Sequence, residues 1–404
     1  MFSWWRAGTT QARRALFAAG LGWMLDAFDV TLFAMALPAL RAELGLSTAA
    51  GGALGSVTLV AAAAGGVLFG LIADKYGRTR ALILSVGIYS VFTAACGFAQ
   101  DFSQLLIFRA LLGIGMGGEW ASGAALVSET WPAQHRGKAL GFMQSGWAVG
   151  YAAAAVVNAF VQPVFGWRAV FFVGIIPAFF TLWVRRNVEE PAIWKAAQKT
   201  IRPGLAVIFR RPLLRLTLAL TVMNTFTLFA WWGFYLWLPS YLTQPASAGG
   251  VGLALLSSSG FILLMQAGMW LGYVTFGFVS DRIGRKRTYV AYLLTASVLL
   301  ALYVSIRNPA ALLALGPFVA FFATGYFSGF GAVTAEIYPT SIRATAQGFT
   351  YNIGRVASAA APWAVGSLAS THGFGPALMV SSVAFLFAAL GWVWIPETRG
   401  KALD

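Results

Sequence analysis

Residues 70–80 read GLIADKYGRTR and residues 277–287 read GFVSDRIGRKR, with Gly, Asp, Gly, Arg and Arg at equivalent places. The shift of 207 positions that superposes the two phrases also carries Glu129 onto Glu336, Pro132 onto Pro339 and Arg136 onto Arg343. It carries Gly141 onto Gly348, Gly166 onto Gly373 and Glu190 onto Glu397 as well. One register held over more than a hundred residues is the mark of a tandem duplication.

The duplicated unit is written in apolar residues. Of the 404 residues 59% are hydrophobic and 10% charged, far from the balance of a soluble domain. A helix needs roughly 20 apolar residues to cross the hydrocarbon layer. Twelve runs meet that length, at about 15–40, 49–72, 80–100, 103–127, 138–162, 167–185, 215–242, 251–279, 288–306, 309–333, 345–370 and 374–395. The first is too long for a secretory leader, lacks a cleavage pattern and is followed by eleven more. The sequence therefore predicts an all-α membrane protein of twelve transmembrane helices in two six-helix halves. The halves are 1–185 and 215–404, joined by a basic cytoplasmic linker, 186–214.

A net charge of +15 would suggest an acidic partner in a soluble protein. Here 23 of the 28 basic residues fall in segments on one side if the first loop is placed outside, whereas the other side holds only Arg41, Arg168 and Arg307. That asymmetry is the positive-inside pattern, so both termini are expected in the cytoplasm and nucleic acid is not expected as a partner. The single cysteine, Cys96, cannot form an intramolecular disulfide and reads as a packing residue.

Six plus six spans with both ends on one side set the halves parallel, related by an axis along the membrane normal, an arrangement that can rock about a central cavity. GLIADKYGRTR resembles the loop motif between helices 2 and 3 of the major facilitator superfamily, and GFVSDRIGRKR its repeat between helices 8 and 9. In each phrase an acid ends a span and a glycine permits a tight basic turn. Asp74 and Asp281 can then meet Arg136, Arg343 or a helix N-terminus. The resemblance implies an inner gate of Asp74, Arg78, Glu129, Arg136, Asp281, Arg285, Glu336 and Arg343.

GIGMGG at 113–118 satisfies a dinucleotide-binding pattern, but it lies inside an apolar run with no strand before it. Gly113 and Gly117, four apart, instead suit close helix packing. No phosphate-binding P-loop occurs, and two histidines, His135 and His372, with one cysteine make no plausible zinc site. An enzyme is not indicated, nor a cofactor or metal; energy is expected from a proton gradient.

Five charges stand within the spans: Asp26, Asp29, Arg109, Glu119 and Arg355. Each costs roughly 2.5–3.5 kcal/mol in the hydrocarbon, and such residues normally face a cavity and pair. None is matched by a charge at the 207-residue shift, so the scaffold is duplicated and these charges are not. Asp26 and Asp29 share one face of helix 1, where two like charges in low dielectric favour proton exchange; Arg109 is a candidate partner. FRALLGIGMGGEW resembles a helix 4 motif linked to proton coupling in the superfamily, with Arg109 at its arginine position. Glu119, roughly 80° around the helix from Arg109, reads equally as a second proton site or a structural acid.

Arg355 lies in QGFTYNIGRVASAAAPW, where Gln347, Tyr351, Arg355 and Ser358 recur at helical spacing, with Asn352 beside them. A guanidinium with no acid on its own helix can take a carboxylate in paired hydrogen bonds, supplied by the substrate or by another helix. Gln144, Trp147, Tyr151 and Asn158 on helix 5, and Asn224, Trp231 and Tyr235 on helix 7, are candidates to enclose an organic body. LDAFDVTLFAMALPAL, GGEWASGAALVSETWPAQHRGKALG and WWGFYLWLPSYL resemble the metabolite, sialate and aromatic-acid proton symporters of the superfamily. The resemblance implies proton-coupled uptake of a small organic anion by a monomer in the plasma membrane. A proton-antiporting exporter and a sugar uniporter are the alternatives.

Overall fold

The computed structural model describes residues 3–46, 48–197, 205–243, 245–253 and 255–403. Those residues form helices and connecting turns, with no strand among them. The first six spans are α1 (Thr10–Leu44), α2 (Thr48–Tyr76), α3 (Arg78–Cys96), α4 (Phe102–Thr130), α5 (Arg136–Val173) and α6 (Ile176–Asn187). The last six are α7 (Leu213–Tyr235), α8 (Leu255–Ile283), α9 (Arg285–Ser305), α10 (Pro309–Gly325, resumed at Phe327–Ile337), α11 (Arg343–Ser358, resumed at Ala360–His372) and α12 (Phe374–Gly391). The expected sixth run, 167–185, begins beyond Gly166, where the backbone of α5 turns with φ 75°, and continues through the end of α5 into α6. Part of the linker, 198–204, lies outside the described residues.

Small residues set the closest approaches. A Cβ on Gly117 would strike the Ala62 carbonyl of α2, and one on Gly113 the Thr58 carbonyl, so the glycine run of α4 is the face on which α2 lies. The two loop-motif glycines have a different task. Gly77 and Gly284 take φ 120° and 113°, a region open to glycine and costly for any side chain. They turn the chain into α3 and α9, where Glu190 accepts from Thr79 and Arg80 N–H and Glu397 from Arg285 and Lys286 N–H. Each acid thus meets the positive end of a helix dipole. Glu190 is only partly enclosed, and burial pushes its carboxyl up against the opposing pull of those N–H groups.

The halves meet along two seams, α2 with α11 and α5 with α8. The duplication exchanges them, since α8 repeats α2 and α11 repeats α5. One buried cluster runs across the join, holding Trp120 and Leu140 of the first half with Phe330 and Tyr351 of the second.

Candidate functional site

At the end of the bundle carrying the repeated phrases, a twofold ion-pair lattice locks the seams. Arg78 bridges Asp74 (2.8 Å) and Glu129 (2.9 Å), and Arg343 of the other half reaches the same Glu129 at 2.8 Å. In the copy, Arg285 bridges Asp281 (2.5 Å) and Glu336 (3.0 Å), and Arg136 reaches Glu336 at 3.0 Å. Asp74 accepts from the Ala344 and Thr345 N–H groups that open α11, and Asp281 from Lys138 N–H near the start of α5. Of the partners open to the two aspartates, then, the structure pairs each with the arginine four residues on and with a helix N-terminus across the seam. Arg343 and Arg136 serve the glutamates instead. Arg78, Arg285 and Arg343 are fully buried, so these are not solvated loop charges. Buried ion pairs of this kind cost several kcal/mol if one partner is removed.

Above this lattice lies a cavity between the halves. Its narrow annex, about 30 Å³, is lined by Trp23, Gln144, Trp147, Trp231, Tyr351 and Arg355, among others. That is room for one water-sized group. A chamber of about 220 Å³ continues away from the lattice, sharing Trp147 and Trp231 and adding Tyr151, Tyr235 and Gln266. Since a cavity of roughly 150 Å³ can hold benzene, the chamber takes a substituted ring. Trp120 stacks on Tyr351 (4.5 Å between centroids) and donates to Gln144 Oε1 at 3.2 Å, fixing the floor.

Arg355 sits half-buried at the annex with its guanidinium 5.2 Å from the Tyr351 ring centroid, and its Nε has no hydrogen-bond partner. Among the described residues no carboxylate comes within ion-pair distance of it.

The first-half charges divide. Asp29 accepts from Thr93 at 2.7 Å and stands 3.8 Å from Arg109, whose guanidinium lies 3.8 Å from the Phe33 ring centroid. Asp26 leaves Oδ1 without a partner, and Glu119 leaves both carboxyl oxygens so. Glu119 packs against Gly22, one helical turn from Asp26, so the two acids occupy one stretch of the α1–α4 contact. Asp26 lies in the electrostatic field of Arg355 and of Asp29.

Three expected lining residues sit elsewhere. Gln347 donates to Gly331 O (3.1 Å) and Thr334 Oγ1 (2.9 Å), one turn below the annex floor. Asn352, about 100° round α11 from Tyr351, faces Gly66 of α2 and donates to Gly348 O. Asn224 donates to Thr350 O at the α7–α11 contact. The amide NH2 groups bond at buried helix joints, and none of the three residues lines the annex or the chamber. The Asn158 side chain lies outside those described. Sequence reasoning missed Trp23, Tyr273, Trp232 and Gln266; Trp23 shares the Asp26 face, and Tyr273 and Gln266 are seven apart on α8.

A duplicated six-helix unit, its twin loop motifs interlocked at one end and a cavity lined by both halves, is matched over residues 19–275 and 246–403 by the family model of the Major Facilitator Superfamily. The chain is 39% identical to the probable 4-methylmuconolactone transporter of Cupriavidus pinatubonensis, over 100% of this chain and 95% of that one. It is 32% identical to the sialic acid transporter of Escherichia coli, over 95% and 94%. A solved proton:xylose symporter, 19% identical over 98% of both chains, shares the fold with a TM-score of 0.81. The lattice, the cavity and these likenesses have one explanation: the chain belongs to the major facilitator superfamily and is a multi-pass membrane transporter, not an enzyme.

Proposed function

We propose that the chain is a proton-coupled symporter that takes up a small organic monocarboxylate by alternating access, its motif end facing the cytoplasm of a plasma membrane. The observation that carries the reading is Arg355, a cation without an acid partner at the bottom of an aromatic cavity. The relatives named for methylmuconolactone and sialic acid support transport of small organic acids.

In the cycle, a proton from outside neutralises Asp26, which removes the competing negative field from Arg355. The substrate carboxylate then docks there, and the site becomes neutral as a unit. A neutral, filled cavity lets the halves rock, and the ion-pair lattice must part on the cytoplasmic side. Glu119 is the neighbour that can share the proton. Only the differential stabilisation of the open and closed states by proton and substrate drives the change.

Reconstituted protein tests this directly. Counterflow of radiolabelled benzoate, shikimate and N-acetylneuraminate into proteoliposomes, with a lumenal pH dye, should show accumulation driven by an inward proton gradient and lumen acidification. Accumulation with lumen alkalinisation would make the protein an antiporter. Flux indifferent to the gradient would make it a uniporter.

A further inference from the structure

The chamber beyond the annex contains three buried polar atoms without hydrogen-bond partners: Trp231 Nε1, Tyr235 hydroxyl and Gln266 Oε1. Trp231 and Tyr235 come from α7 and stack on each other at 5.0 Å, while Gln266 comes from α8. Leaving such a group unpaired is costly, so three around one space mark a place that suits a polar ligand group. Among the described residues, none that lines this chamber is charged.

The chemistry of the three atoms narrows the partner. An indole N–H only donates, a phenol donates or accepts, and the amide of Gln266 offers its oxygen or, turned over, its nitrogen. A hydroxyl, which both donates and accepts, satisfies such a set. A second carboxylate would bring negative charge into an enclosed space with no cation to meet it. The helices set the separation: from Leu228 at the annex to Tyr235 is seven residues, about 10 Å along α7. That is the span of one ring with a short arm.

Resting on the assignment of Arg355 as the carboxylate anchor, we infer that Gln266 and Tyr235, beside the Trp231 that the chamber shares with the annex, form a second pole that selects an uncharged hydroxyl at the substrate's opposite end. The site then reads both ends of its ligand, charge at the annex and hydroxyl at the chamber, with the aromatic walls between them. Hydroxylated monoacids are favoured over bare monoacids, and diacids are rejected.

Binding to the purified full chain, followed by calorimetry and by quenching of tryptophan fluorescence, tests the second pole. The probes are 3-(4-hydroxyphenyl)propanoate, 3-phenylpropanoate, 3-(4-carboxyphenyl)propanoate and 4-ethylphenol. The wild-type chain should bind the hydroxy acid about threefold to tenfold more tightly than the bare acid, with the diacid weakest. Gln266→Leu and Tyr235→Phe should each shrink the ratio of the two affinities, and together bring it to about one, whatever each does to the affinity for 3-phenylpropanoate itself. No wild-type preference for the hydroxyl, or one that survives in the double variant, overturns the inference. Failure of the anchor reads differently: 4-ethylphenol would bind as tightly as the hydroxy acid, and Arg355→Gln would leave every affinity unchanged.

Discussion

Asp26 on α1 lies in the electrostatic field of Arg355 on α11 without closing an ion pair with it, and each keeps a buried polar atom unpartnered. In the proposed cycle the carboxylate of Asp26 and that of the substrate compete for this one guanidinium. A proton on one makes room for the other. Asp29 differs in having Thr93 on Oδ1 and Arg109 at ion-pair distance, although its Oδ2 makes no hydrogen bond.

Asp26→Asn should mimic the protonated acid. Exchange of a carboxylate across proteoliposomes should persist, and its accumulation against a gradient should vanish. Substrate affinity should fall as pH rises in the wild type and become flat with pH in the variant. Retained gradient-driven accumulation would place the coupling proton on Glu119 or Asp29.

Glu129 holds Arg78 of its own half and Arg343 of the other, all three buried. Glu129→Gln removes the charge both arginines share, a loss of about 3–5 kcal/mol for a buried pair. The motif end should open. In a Cys96→Ser background, Ser128→Cys at the foot of α4 should react with maleimide at least tenfold faster when Glu129→Gln is added. Equal labelling rates would mean the pair does not hold the gate.

The short N-terminal helix Ser3–Ala7 places Trp4 against Trp131 and Phe142 of the first half and Phe278 of α8 in the second, the last at 6.3 Å and edge-on. Trp4 therefore caps the α5–α8 seam beside the lattice. Its contact with Phe278 is worth about 0.5–1.5 kcal/mol, so Trp4→Ala should raise the open-to-closed ratio about twofold to tenfold. Spin labels at Gln134→Cys and Arg282→Cys should report the longer distance more often; an unchanged distribution would reduce Trp4 to a passive anchor.

Gly117→Ala sets a methyl where the Ala62 carbonyl of α2 lies. Overpacking of this kind costs about 1–3 kcal/mol, read as a fall in melting temperature and in monodisperse yield. A melting curve like that of the wild type would show that α2 and α4 can part without penalty.

The fold was legible because its evidence is linear. Apolar runs of membrane length and a 207-residue repeat survive without knowledge of any contact, and Gly77 and Gly284 occur where the turns require them. The site was legible as a set of charges and as the aromatic and amide residues Gln144, Trp147, Tyr151, Trp231, Tyr235 and Tyr351, which line the cavity. Which acid meets Arg109 or Arg355 depends on the rotation of each helix about its axis, and a stripe of polar residues does not fix that rotation. Gln347, Asn352 and Asn224 show the limit: amides at helical spacing serve a helix joint as readily as a cavity. Trp23 and Gln266 escaped for the opposite reason, since an aromatic or a lone amide in an apolar run looks like packing until the opposite wall is in place.

The central claim is that Arg355 receives the carboxylate of the cargo. Its most direct test is the affinity of the purified chain for 3-phenylpropanoate and for the corresponding uncharged amide, before and after Arg355→Gln. The wild-type protein should prefer the acid by about tenfold to a hundredfold, the range for a hydrogen-bonded charge, and the variant should bind acid and amide alike. An undiminished preference for the acid in the variant would contradict the account.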